Sequence, residues 1–149
     1  MPRVHVAGPH CPGCEKKLDE GHELLRHWFH VIKKFDEDAH ISWVFRTKED
    51  QELCNRIGTS KSIWTTSKHN NMVGGFPYAL AMDLFKQVGN VYYASKHFYT
   101  HINKILIENG CKDLIWGGEW PRPDYPHWQL KSSSVENSSQ RQEAISQSQ

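Results

Sequence analysis

The sequence predicts an α+β domain: a small, mostly antiparallel sheet with helices packed on one side. Three observations carry that expectation. Residues 18–35 and 98–109 repeat apolar side chains at helical spacing. Residues 41–46, 79–84, 114–116 and 128–130 are short apolar or alternating runs that read as strands, bounded by turn formers. At 149 residues the chain suits one domain and can bury a real core.

Taken in order, residues 1–17 read as an N-terminal arm. It carries His10-Cys11-Pro12-Gly13-Cys14, half of a zinc site. Cys54, Cys111, His5 or His22 would have to complete it from a distance. Two reduced thiols on a mobile arm, a small structural zinc and a redox pair all stay open, the last without the βαβ surroundings of a thioredoxin-like motif.

The domain proper spans residues 18–130. A helix over Leu18–Phe35 is expected from Leu24, Trp28, Val31, Ile32 and Phe35, with Asp19 and Glu20 near its start and Lys33 and Lys34 near its end complementing the dipole. His22, His27 and His30 ride on it. They share no face with a carboxylate at ligand spacing, so they read as solvated or packing residues. Ile41–Arg46 alternates as a strand, with Ile41, Trp43 and Phe45 to one side and Ser42, Val44 and Arg46 to the other. An arginine at a strand end can hold a substrate carboxylate or stabilise an oxyanion. Thr47, with Asp50 three residues on, is a helix cap, and that helix runs to about Ile57 and stops at Gly58.

Residues 59–77 are loop-like, broken by Asn70-Asn71 and Gly74-Gly75, with Ser67-Lys68-His69 in or beside the loop. Ala79–Leu84 is a strand with Leu80, Met82 and Leu84 on one face and Ala79, Ala81 and Asp83 on the other. A carboxylate closing such a strand is costly to bury without a partner, and the alanines beside it leave room for an ion. Phe98–Asn109 is an amphipathic helix through Phe98, Ile102, Ile105 and Leu106, closed by Gly110. The His97/His101 pair on that segment lacks an acidic partner and reads as structural. Leu114-Ile115-Trp116 precedes the Gly117-Gly118 turn, and Trp128-Gln129-Leu130 is the last strand, directly behind His127. From residue 131 to 149 the composition turns to Ser, Gln, Asn and Glu, which predicts a disordered tail.

The formal net charge is +1 with both signs interleaved, so neither a nucleic-acid stripe nor a membrane-surface face is present. The start of the chain has no apolar h-region and no window reaches transmembrane length. Synthesis in a cytoplasm without a signal peptide is expected, in a protein acting as a monomer. In that compartment four cysteines read as thiols or metal ligands rather than disulfides.

Two histidines and a carboxylate on separate segments, His69, Asp83 and His127, can supply three zinc ligands. A fourth position left open is the layout of a catalytic site rather than a closed structural one. Asp124, three residues before His127, is placed to act as general base, with Glu119 as runner-up. Glu119 is otherwise suited to position the turn or a substrate amine. Ser67 is suited to hydrogen-bond a substrate or to orient His69.

These residues also carry a family resemblance. Ser67-x-His69, Ala81-x-Asp83-Leu84 and Asp124-x-Pro126-His127-Trp128-Gln129-Leu130 resemble the motifs of zinc peptidases of bacterial cell-wall peptides. That group holds the VanX/VanY-like D-Ala-D-Ala peptidases and the phage endolysins that cut L-alanyl-D-glutamate bonds. Val44–Gln51 resembles the group's Tyr-Arg-Ser/Thr-x-Glu-x-Gln block, and Gly117-Gly118-Glu119-Trp120 its Gly-Gly-Asp-Trp block. The resemblance covers residues 20 to 130 and implies a Hedgehog/DD-peptidase-like fold and zinc-dependent hydrolysis of peptidoglycan stem peptides. It favours the endolysin-like L-alanyl-D-glutamate endopeptidases, since a phage lysis enzyme without a signal peptide is delivered by a holin. It also implies that Arg46 lies in the active site and that Asp124 is the acid three residues before the last histidine.

A D-Ala-D-Ala carboxypeptidase or dipeptidase is the near alternative. A non-catalytic zinc-binding module of the same fold is a different class, against which Asp124 and Arg46 argue, because a structural site needs neither. A metal-stabilised adaptor built on Cys11 and Cys14 is a third. The chain departs from the group in one place. The commoner spacing is His-x6-Asp, whereas thirteen residues separate His69 from Asp83 here. A loop insertion over Asn70–Tyr78 accounts for it and suggests a longer flap beside the substrate cleft.

Overall fold

The computed structural model describes His5, Val6, Gly8 and residues 10–137. Helix α1 (Pro12–Leu18) opens the fold, with Pro12 in the first turn, where its missing N–H costs nothing. Cys11, Cys14 and Leu18 are buried in the core. The arm expected over residues 1–17 is therefore corrected from Cys11 onward, because its apolar and sulfur-bearing side chains pack inward.

The helix expected from Leu18 is interrupted, and α2 runs over Glu23–Phe35. Gly21 accounts for the break. It forms a parallel bridge with Ala79, and a Cβ there would lie 2.6 Å from Val44 Cγ1. The chain has to pass flat against its neighbour at that point. His22 donates its N–H to Ala79 O at 2.9 Å, and its Nδ1 then accepts from Leu24 N–H at 3.1 Å as the helix cap. Helix α2 buries Leu25, Trp28, Phe29 and Ile32, each contributing about 1.5–3 kcal/mol. The expected face is rotated accordingly: Leu24 and Val31 pack at its margin and Phe35 is exposed.

Strand β1 (Ala39–Trp43) stops three residues short of Arg46, after a register shift between Ile41 and Trp43. Helix α3 (Lys48–Arg56) carries the expected capping box: Asp50 N–H donates to Thr47 Oγ1 at 3.1 Å, and Thr47 N–H to Asp50 Oδ2 at 3.4 Å. The loop-like stretch that follows holds a 3-10 turn (Lys68–Asn70) and a small hairpin, β2 (Met72–Val73) and β3 (Phe76–Pro77), with Gly74-Gly75 at its tip. Strand β4 (Ala81–Val88) extends beyond the expected Leu84 and turns into β5 (Val91–Tyr93), whose exposed side chains gave no burial pattern to read. Helix α4 (Lys96–Glu108) buries Phe98, Tyr99, Ile102, Ile105 and Leu106. Strands β6 (Leu114–Trp116) and β7 (His127–Leu130) complete the sheet.

Residues 132–137 are helical. Ser134 Oγ donates to Asp113 Oδ1 at 2.8 Å and Val135 packs on the core. These anchors correct the start of the tail expected to be disordered from residue 131; from residue 138 onward that expectation lies outside the described residues.

The main sheet has the order β1-β4-β7-β6, with β5 also on β4, and every ladder is antiparallel. This is the expected α+β architecture. On β4, Met82 and Leu84 enter the core with Ile41, Trp128 and helices α1, α2 and α4. Strand alternation then sends Asp83 to the opposite face.

Candidate active site

Asp83 pairs directly across the sheet with His127, and Ala81 with Gln129. Directly opposed residues share a face, so His127 and Gln129 stand beside Asp83 over the small Ala81. His69 approaches from the 3-10 turn. Ser67 Oγ accepts its N–H at 3.1 Å, His69 O accepts from Arg46 N–H at 2.9 Å, and Lys68 O accepts from Leu80 N–H at 2.9 Å. Ser67 thus touches His69 through the His69 backbone N–H.

Three donor atoms converge. Asp83 Oδ1 lies 3.0 Å from His127 Nδ1 and 3.2 Å from His69 Nε2, and the two nitrogens are 3.3 Å apart. A tetrahedral zinc site with bonds of about 2.0–2.1 Å has ligand–ligand edges of about 3.3 Å. The neighbours set the tautomers. His69 Nδ1 is 2.7 Å from Val44 O, which only accepts, so the proton sits there and Nε2 presents a lone pair. His127 Nε2 faces Gln129 Oε1 at 3.0 Å, which leaves Nδ1 bare. In those tautomers three lone pairs face one point, so these residues fit a zinc ion; without a cation between them, a proton on His127 Nδ1 bridges to Asp83 Oδ1. Burial opposes ionisation of Asp83, but His69 and His127 outweigh it and hold the carboxyl well below the usual carboxylate range. Burial likewise opposes charge on His127, and its hydrogen bond to Asp83 more than reverses that, raising its pKa.

Arg46 Nη2 donates to Asp83 Oδ2 at 2.8 Å, and both side chains are nearly buried. Its guanidinium lies 5.1 Å from the Trp43 ring centroid, and Nε is buried without a hydrogen-bond partner among the described residues. Arg46 therefore occupies the outer oxygen of Asp83 and turns the inner one toward the histidines.

Asp124 is exposed, on the loop between β6 and β7. Its N–H donates to Gly117 O at 2.9 Å, and its O accepts His127 N–H at 3.3 Å. Desolvation and the charge of Asp83 push its carboxyl up, against the opposing pull of His127, His69 and Arg46. Trp120 closes on His127 with ring centroids 5.4 Å apart. Glu119, in the 3-10 turn Gly117–Glu119, is exposed, and no hydrogen bond or ion pair joins it to the cluster among the described residues. Sequence reasoning assigned no role to Gln129 or to the Val44 carbonyl. The signal for Gln129 was its place two residues after His127 on one strand face.

No family model matches the chain, and no curated protein matches it. A solved structure does: the L-Ala D-Glu endopeptidase ChiX of Serratia marcescens, with a TM-score of 0.66, over 82% of this chain and 89% of that one, at 22% identity. The two share a fold. Cys11 and Cys14 meet His5 and His40 in a separate cluster. Of the other partners considered for them, His22 caps α2, Cys54 is buried on α3 and Cys111 follows α4.

Proposed function

We propose that the chain is a zinc-dependent peptidase that hydrolyses peptidoglycan stem peptides, as an endolysin-like L-alanyl-D-glutamate endopeptidase. The observation that carries this reading is the convergence of His69 Nε2, Asp83 Oδ1 and His127 Nδ1 at the edge lengths of a zinc site, beside an exposed acid. The shared fold with an L-Ala D-Glu endopeptidase supports the substrate class.

His69, Asp83 and His127 hold the ion. When bound, zinc supplies Lewis acidity and lowers the pKa of water to about 7. The chain's own residues do the rest. Asp124, with its raised pKa, accepts a proton from the attacking water as the water oxygen bonds to the scissile carbonyl carbon. It delivers that proton to the amine nitrogen as the C–N bond breaks. Val44 O and Gln129 keep the two imidazoles in the ligating tautomer. Arg46 is a positioning residue for Asp83, and its guanidinium is the group assigned to a substrate carboxylate or to the oxyanion. Ser67 orients His69, and Glu119 is left to meet a substrate amine. The hairpin of β2 and β3 presents exposed Val73 and Phe76 as an apolar flap. Among the described residues no helix is long and apolar enough to cross a membrane. In this reading the protein is made in the cytoplasm of a phage-infected or prophage-bearing host and meets the wall after release.

Mass spectrometry of purified peptidoglycan incubated with the protein, with and without a chelator, tests the proposal. Chelator-sensitive release of fragments with new L-Ala carboxyl and D-Glu amino termini is expected. Release of terminal D-Ala instead would make it a D-Ala-D-Ala carboxypeptidase. No products from protein carrying stoichiometric zinc would make it a non-catalytic binding module.

A further inference from the structure

The cluster of His5, Cys11, Cys14 and His40 lies outside the site just described. Its donor atoms all fall within 4.8 Å of one another. Cys14 Sγ is 3.4 Å from His5 Nδ1 and 3.7 Å from His40 Nδ1, and Cys11 Sγ is 3.5 Å from His5 Nδ1. In a tetrahedral site with bonds of about 2.3 Å to sulfur and about 2.0–2.1 Å to nitrogen, the S···N edge is about 3.6 Å. All three separations lie close to that edge. Two sulfurs and two nitrogens leave no open position, which is the composition of structural zinc sites.

One backbone donor and two ammonium groups lie about the sulfurs. Ile41 N–H donates to Cys14 Sγ at 3.3 Å. Lys33 is buried and Lys17 half-buried, both act on Cys11 and Cys14, and neither makes an ion pair with a carboxylate among the described residues. Lys17 Nζ is held instead by the carbonyls of Ile41 and Ser42, and Lys33 Nζ by that of Glu37. Two thiolates balance one dication.

We propose that His5, Cys11, Cys14 and His40 form a second, structural zinc site that fastens the residues before α1 to strand β1. Beyond its last residue, β1 leads directly to Val44, whose carbonyl sets the His69 tautomer, so the ion also stiffens one support of the active site.

Cobalt(II) reconstitution of the metal-stripped full-length protein under reducing, oxygen-free conditions tests it. Two equivalents per chain are expected, with a thiolate-to-cobalt charge-transfer absorption that a His/Asp site cannot produce. His127→Ala should keep that absorption and lose one equivalent. The double substitution Cys11→Ser with Cys14→Ser should lose the absorption and keep one equivalent. Should that double variant fail to fold, alkylation of wild-type protein read by peptide mass spectrometry decides, with Cys11 and Cys14 expected to react at least tenfold more slowly when zinc is present. A wild-type protein that takes up a single equivalent without the absorption overturns the site. So do equal alkylation rates with and without zinc, as a redox pair or two simple thiols would give. Because peptidase activity is not the readout, the outcome is independent of the proposed catalytic function.

Discussion

His69, Asp83 and His127 offer two nitrogens and one oxygen from three separate segments, whereas the N-terminal cluster offers two sulfurs and two nitrogens. The difference extends to what surrounds each set. Around the first, the outer atoms are occupied by Val44 O, Gln129 Oε1 and Arg46 Nη2, and an exposed carboxylate, Asp124, stands alongside. Around the second are one backbone N–H and two lysine charges. On the proposed assignments, one cluster would spend three donors and leave room for a reacting group, and the other would close its shell. Both use a β-sheet residue and a buried imidazole, so under the proposed roles it is donor number and the neighbouring acid that separate chemistry from support.

The largest effect that would break this contrast belongs to His127→Ala. It removes one of three ligands from the open site, and hydrolysis should fall to background with one zinc equivalent lost by elemental analysis. The closed site should be untouched. A His127→Ala protein with full metal content would remove it from the ligand set. Next is Asp124→Ala. General-base catalysis contributes about 10²–10⁴-fold, so the rate should fall by that amount while metal content stays at the wild-type level. A near-normal rate in that variant would sink the base assignment and leave Glu119 to be tried.

Gln129→Leu sharpens the contrast at a smaller scale. It removes the acceptor that holds the His127 proton on Nε2. Loss of such a contact costs about 10–100-fold in metal affinity or activity. Competition against a chelator should show the weakened affinity at the open site, and Gln129→Glu, which still accepts that proton, should restore it. A purely packing role for Gln129 would leave the affinity of both variants unchanged.

How far these sites could be read from sequence follows from how local their determinants are. Asp83 stood out because strand alternation isolates a carboxylate among Ala79, Leu80, Ala81 and Met82, and Asp124 because its distance from His127 is three residues. His69 rested on Asp83 and His127 as companions, since its position is set by its own bonds to Arg46 and Val44, and by that of Lys68 to Leu80, which no local pattern announces. The Cys-x-x-Cys half was visible, yet His40 was not among the partners considered: β1 was expected to begin at Ile41, and the ladder to β4 in fact starts at Ala39. The helix begun at Leu18 failed for a similar reason. Gly21 is a weak breaker by composition, and only its approach to Val44 makes it a decisive one. The short helix after β7 was hidden by its Ser-rich composition, because its anchors are the bond from Ser134 to Asp113 and the single apolar side chain of Val135.

Gly117→Ala should show the smallest effect, and it tests whether the open site needs its acid held in place. A Cβ at Gly117 would lie 2.5 Å from Asp124 O, 3.1 Å from Asp124 Cβ and 3.3 Å from Trp120 Cζ3. The first of these is backbone and cannot swing aside, so the Asp124 loop must shift. None of these contacts involves His69, Asp83 or His127, and the zinc content of both proposed sites should remain that of the wild type. A displacement of about 1 Å can cost up to 10²-fold in rate; with the loop free to relax into solvent on its exposed side, a loss of about tenfold is expected. The loss should appear in kcat with KM little changed, because Asp124 acts on the reacting water rather than on substrate binding. If the rate were unaffected while Asp124→Ala abolished it, the carboxylate would be reaching its task from a mobile loop. If instead zinc were lost, the Gly117 turn would be supporting His127 through the Asp124 O···His127 N–H bond, and the open site would depend on its acid-bearing loop for metal as well as for proton transfer.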